Sequence, residues 1–78
     1  MRIEVELFAT LTRFVPQARD GRTAVDIPDG GTVADVARGL GLPAGFDRVA
    51  LVNGREADDA HSLSAGDVVT LFPPLAGG

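Results

Sequence analysis

The chain has 78 residues, an apolar share of 45%, a net charge of −4 and no cysteine. That describes one small domain built on one core, without the thiols for disulfides, thiolate metal sites or a thiol nucleophile, and with little room for a deep substrate cleft. The negative balance leaves no basic stripe to neutralise phosphates, which argues against nucleic acid as the main partner and suits a protein partner with a basic patch.

Other residue types narrow the classes further. The single histidine, His61, supports neither a zinc cluster nor a Ser-His-Asp triad, so no metal site is expected. No apolar run approaches the roughly 18 residues of a membrane span, and no charged, apolar leader stands at Met1. The expectation is a cytoplasmic protein away from membranes. All seven basic residues are arginine. Without lysine, the chain cannot receive an isopeptide bond on a lysine of its own.

In chain order, Arg2–Phe8 alternates strictly, with Ile3, Val5 and Leu7 on one face and Arg2, Glu4 and Glu6 on the other, the period of a half-buried strand. Ala9–Val15 carries Leu11, Phe14 and Val15 at helix-compatible spacing and stops at Pro16, which predicts a short helix or helical turn. A loop follows, with Gly21 suited to a positive backbone angle. Thr23–Pro28 reads as a second strand with Val25 and Ile27 inward. Asp29–Thr32 is a turn that starts a helix, where Thr32 and Asp35 form a capping pair. Val33, Val36, Ala37 and Leu40 make one apolar helical face, closed by the stop signals Gly41 and Pro43.

Asp47–Gly54 is a short apolar run that ends in Asn53-Gly54, a strong hairpin-turn signal. The segment after it, from Arg55, reads as polar and turn-rich, anchored by Leu63 alone. Asp67–Phe72 is the last strand, with Val69 and Leu71 facing one way and Val68, Thr70 and Phe72 the other. One helix over one face of a mixed sheet of about four to five strands is an α+β architecture.

Six residues follow Phe72, reading Pro-Pro-Leu-Ala-Gly-Gly. Fully extended, they reach on the order of 20 Å from the sheet. Pro73-Pro74 favours a stiff, projecting start, Leu75 is an apolar handle, and Gly77 and Gly78 let a terminal carboxylate enter a narrow channel. At an average glycine usage of about 7%, a Gly-Gly end arises by chance in roughly 0.5% of chains. A stiff spacer, a handle and a side-chain-free tip in that order are rarer, so a functional tail is preferred to a fraying end.

Several residues have a plainer reading beside the functional one. Phe72 is either an exposed docking aromatic or the last core residue of its strand. His61 and Asp58-Asp59 read as solvated loop residues. Gly30-Gly31 before a helix lacks the spacing of a phosphate-binding loop.

The strand followed by "LFATLTRF", the "TVADVARGL" helix, "ALVNGR", "LSAGDVVTLFPP" and the closing Gly-Gly together resemble the ubiquitin-like sulfur carriers. These include the small subunit of molybdopterin synthase, to which "LFPPLAGG" and the length of 78 residues are nearer, and the thiamin-pathway carrier, with other sulfur-transfer carriers as further alternatives. The resemblance spans nearly the whole chain and is most specific from Gly66 to Gly78. It departs where Arg13 is followed by Phe14 rather than by glutamate. It implies a β-grasp domain over residues 1–72 and a tail over 73–78. An activating enzyme, using ATP and magnesium, adenylates the terminal carboxylate in this family, and a sulfur donor then leaves a thiocarboxylate. On this chain the resemblance makes Gly78 the acceptor and Gly77 the threading residue, with Phe72, Pro73, Pro74 and Leu75 as partner contacts. The implied partners are the adenylating enzyme and a sulfur-accepting synthase, either the molybdopterin-synthase large subunit or thiazole synthase. The carrier itself is then not an enzyme. A ubiquitin-like modifier joined to lysines of other proteins, and a plain interaction domain, remain as alternatives.

Overall fold

The structure is a computed structural model that describes residues 1–8, 11, 15–42 and 49–73. Its elements are β1 (Arg2–Leu7), β2 (Arg22–Asp26), α1 (Val33–Gly39), β3 (Val49–Val52), β4 (Arg55–Ala57) and β5 (Val68–Phe72). The five strands form one sheet in the order β2-β1-β5-β3-β4. β1 runs parallel to β5, and every other pairing is antiparallel. The last strand of the chain therefore sits in the middle of the sheet, between β1 and β3.

Period-2 patterning explains the layering. Ile3, Val5 and Leu7 of β1 are buried, as are Ala50 and Val52 of β3 and Val69 and Leu71 of β5. All of them face α1, which adds Val33, Val36 and Ala37, with Leu40 just beyond its end. Each Val, Leu or Ile among them contributes about 1.5–3 kcal/mol when fully buried. The described residues bury no polar or charged side chain. This is the β-grasp arrangement that the sequence resemblance implies.

Local chemistry sets the helix ends. The Thr32 N–H donates to Asp35 Oδ2 at 2.9 Å, which supplies the expected capping contact. Asp35 in the first turn and Arg38 in the last complement the helix dipole and pair with each other. Gly41 takes the expected left-handed conformation after the last turn, with φ 79°.

Two hairpin turns share one device. Asp20 and Gly21 have φ of 52° and 72°, and Asn53 and Gly54 have φ of 50° and 87°. Paired positive φ values are what a type I′ turn requires. The first closes between Arg19 and Arg22, whose backbones exchange two hydrogen bonds of 2.9 Å. The loop expected before β2 is thus a tight turn.

Three boundaries differ from the sequence reading. The second strand begins at Arg22 and ends at Asp26, so Ile27 is buried just beyond it while Val25 packs half-buried against the core. Arg55–Ala57, read as turn-rich, is a strand paired with β3 in the register Ala50↔Ala57. The Asn53-Gly54 turn folds it back, so it needs no apolar alternation of its own. The short helix expected over Ala9–Val15 falls mostly outside the described residues, although its Leu11 and Val15 are buried in the core.

Leu63 anchors the connection between β4 and β5, as its lone apolar side chain predicts. Around it, the Val33 N–H donates to the His61 carbonyl at 3.2 Å and the Ala34 N–H to the Asp59 carbonyl at 3.0 Å. These carbonyls satisfy amides that the first helical turn leaves without an intrahelical partner. The phosphate-loop reading of Gly30-Gly31 fails on this ground as well as on spacing.

Candidate functional site: the exit end of the central strand

β5 delivers the chain to its C-terminal segment, so the contacts at its two ends define where that segment leaves. At the exit end, the Phe8 N–H donates to the Leu71 carbonyl at 3.0 Å, one residue beyond the last pair of the β1–β5 ladder, Leu7↔Leu71. The Phe8 and Phe72 rings meet edge-to-face, with centroids 6.4 Å apart and planes at 80°. That is a favoured aromatic geometry, contributing about 0.5–1.5 kcal/mol beyond area burial.

Phe72 is half-buried, whereas Val69 and Leu71 of the same strand are fully enclosed. It stands on the face of the sheet opposite α1, outside the buried core cluster, and is neither fully enclosed nor fully exposed. Pro73 is also half-buried. Val49 lies opposite Phe72 in register, and Leu51 opposite Thr70, so apolar side chains continue across this face. Phe8 is 51% exposed and is the one exposed large apolar side chain among the described residues.

Phe8 was not singled out from the sequence, yet a signal existed. It continues the outward series Arg2, Glu4, Glu6 by one more step, and only the parallel pairing of β1 with β5 places it beside Phe72. Pro74, Leu75, Gly77 and Gly78 lie outside the described residues.

At the entry end of β5, Asp67 and Asn53 form a polar clamp. Asn53 Nδ2 donates to Asp67 Oδ1 at 3.0 Å, and Asn53 Oδ1 accepts the Val68 N–H at 3.0 Å. Asp67 Oδ2 accepts the Ser64 N–H at 2.8 Å. The Ser64 bond and then the Asn53 bond, with a smaller contribution from His61, hold the Asp67 carboxyl below its ordinary value.

The remaining candidates take structural roles. Asp58 Oδ1 accepts the Ala60 N–H at 3.1 Å, and His61 is exposed. Among the described residues, no three His, Cys, Asp or Glu side chains come together to hold a metal ion. No helix among them is long and apolar enough to cross a membrane.

Comparison with known proteins gives the family and the fold. The model of the Mut7-C ubiquitin family matches residues 1–76. SAMP1 from Haloferax volcanii is similar in structure over the full length of both chains, with 27% identity and a TM-score of 0.77. The Haloferax volcanii HVO 2177 protein is 34% identical, covering all of this chain and 87% of its own, with a TM-score of 0.80. A Pyrococcus furiosus protein assigned as molybdopterin converting factor subunit 1 is 25% identical over 95% of this chain and 98% of its own, with a TM-score of 0.71. No curated protein sequence matches.

Proposed function

Because the chain belongs to the Mut7-C ubiquitin family, and because ubiquitin-like sulfur carriers share its fold, we propose that it is a sulfur carrier whose working group is the Gly78 carboxylate. A carboxylate is a poor electrophile. An activating enzyme, with ATP and magnesium, would make it an acyl-adenylate by attack of a Gly78 oxygen on the α-phosphate and loss of pyrophosphate. Hydrosulfide from a sulfur donor then attacks the Gly78 carbonyl carbon and expels AMP, and the product is a thiocarboxylate. The chain positions the carbonyl and leaves catalysis to its partners.

The observation that carries this reading is the exit end of β5. A central strand, held on both sides, ends in Phe72 with the Phe8 ring beside it, Pro73 follows, and Gly77 and Gly78 stand four and five positions after Pro73. The aromatic pair and Pro73 contact the activating enzyme, Pro74 and Leu75 extend that contact, and Gly77 and Gly78 thread into the site. Similarity to molybdopterin converting factor subunit 1 favours delivery of the sulfur in molybdopterin synthesis, to a large synthase subunit. A thiazole-forming synthase is the alternative recipient.

Intact mass spectrometry after incubation with the cognate activating enzyme, ATP and a sulfur donor tests the proposal. Exchange of one oxygen for sulfur at Gly78 is expected. An unchanged mass with an enzyme proven active on another carrier overturns it.

A second reading has its own support. The similarity to SAMP1, a small archaeal modifier protein, favours attachment of the same activated carboxylate to lysines of other proteins. Gly-Gly remnants on cellular lysines would reveal it. With no lysine in the chain, only single adducts are expected, never lysine-linked chains.

A further inference from the structure

Asn53 and Gly54 are consecutive in an exposed turn. Gly54 has no side chain to hinder its amide nitrogen, and a Cβ built on it would meet nothing within 4 Å. A neighbouring asparagine carboxamide is the electrophile that such a nitrogen reaches most easily. We propose that Asn53 is a site of spontaneous covalent modification by deamidation, restrained by Asp67, and that the reaction loosens the entry end of β5. This inference is independent of the sulfur-carrier reading.

The chemistry needs only water. The Gly54 nitrogen loses its proton and bonds to Asn53 Cγ, the Cγ–Nδ2 bond breaks, and ammonia leaves. Water then opens the five-membered imide at one of its two carbonyls. Opening on one side gives aspartate at position 53, and opening on the other gives an isoaspartyl link with an extra methylene in the main chain. No electrons are gained or lost.

The clamp explains the restraint. Both carboxamide heteroatoms are engaged with the start of β5, through Nδ2 to Asp67 and Oδ1 from Val68. For Cγ to meet the Gly54 nitrogen, the carboxamide must turn and give up these bonds. Asp67 is in turn fixed by the Ser64 N–H. The reaction therefore waits on an opening of the clamp.

The product damages the same clamp. An aspartate at position 53 has no donor for Asp67, so two carboxylates face each other where an amide met a carboxylate. An isoaspartyl link lengthens a two-residue turn that sets the Val52↔Arg55 register. Either product weakens the hold on the strand that carries the C-terminal segment.

The test follows the gain of one mass unit at Asn53 by peptide mapping in mildly alkaline buffer. The chain unfolded in urea is expected to deamidate several-fold faster than the native chain. Asp67→Ala, verified as folded by circular dichroism, should also exceed the native rate several-fold. No gain at Asn53 in the unfolded chain, or a wild-type rate in folded Asp67→Ala, overturns the proposal. Should Asp67→Ala not fold, equal rates for native and unfolded wild type overturn it instead. Asn53→Asp, which mimics one product, is expected to speed hydrogen exchange at the Ser64 amide, and unchanged exchange there refutes the loosening.

Discussion

Phe8 and Asp67 sit at opposite ends of the central strand and do different work. Phe8 buries only part of its surface, so its packing value is small. Phe8→Ala should cost about 1 kcal/mol, the scale of one edge-to-face aromatic pair. Its effect on activation should be larger and specific. The residue would meet the activating enzyme but not the reacting carboxylate, so KM should rise with kcat nearly unchanged. Steady-state adenylation kinetics decide this, and a wild-type KM would remove Phe8 from the docking surface. Asp67 acts on stability. Its folded pKa is depressed below 3.8, chiefly by the Ser64 and Asn53 hydrogen bonds. The stabilisation is therefore fully present above the ordinary aspartate value and is lost as pH falls through the depressed value. Melting curves across that acid window should show the gap between wild type and Asp67→Ala closing as pH falls. A gap independent of pH would mean that the carboxylate charge is not what Asp67 contributes.

Among the elements, α1 and β2 come close to each other at Gly39 and Val25. A Cβ on Gly39 would lie 2.5 Å from Val25 Cγ2, inside any ordinary contact. Helix propensity alone makes Gly39→Ala stabilising by about 1 kcal/mol, whereas overpacking costs about 1–3 kcal/mol. The clash is expected to win, and Gly39→Ala should lower Tm in the native background. In a Val25→Ala background the same substitution should raise it. Thermal melts of the four proteins in this cycle isolate the contact, and a loss of equal size in both backgrounds would show that the helix, not Val25, is at fault. The pattern of what the sequence reveals follows from the same distinction between local and distant causes. β1, α1 and β5 are legible because their residues alternate or recur at helical spacing without interruption. β4 is not legible, because Arg55-Glu56-Ala57 becomes a strand only through the turn before it and the partner strand it folds back onto. The side-by-side placement of β1 and β5 is a pairing across more than sixty residues, and local period carries no trace of it. Phe8 was missed for that reason, although its outward direction could be read from the alternation.

At the scale of the whole molecule, the sulfur-carrier proposal assigns stability to the body and chemistry to the terminus, and the two assignments can be tested apart. The buried apolar residues run from Ile3 to Leu71, and the sheet joins both ends of the described chain through β1 and β5. Gly77 and Gly78 have no side chains to add to that core. Under the sulfur-carrier proposal, the Gly78 carboxylate is the group that activation requires. Removing both residues should leave Tm unchanged on a scale where 1 kcal/mol corresponds to about 4–8 °C for a domain of this size. It should also abolish adenylation, because the new terminus falls short of the activating site by two residues, on the order of 7 Å of extended chain. Appending one further residue after Gly78 makes the complementary case: the chain then overshoots by about 3.5 Å and bears a side chain at its tip, so adenylation should again be lost with Tm unchanged. Differential scanning calorimetry paired with a pyrophosphate-release assay separates the two properties. A truncated chain that still releases pyrophosphate would place the acceptor elsewhere. A truncated chain with a much lower Tm would make the terminus part of the body rather than a device attached to it.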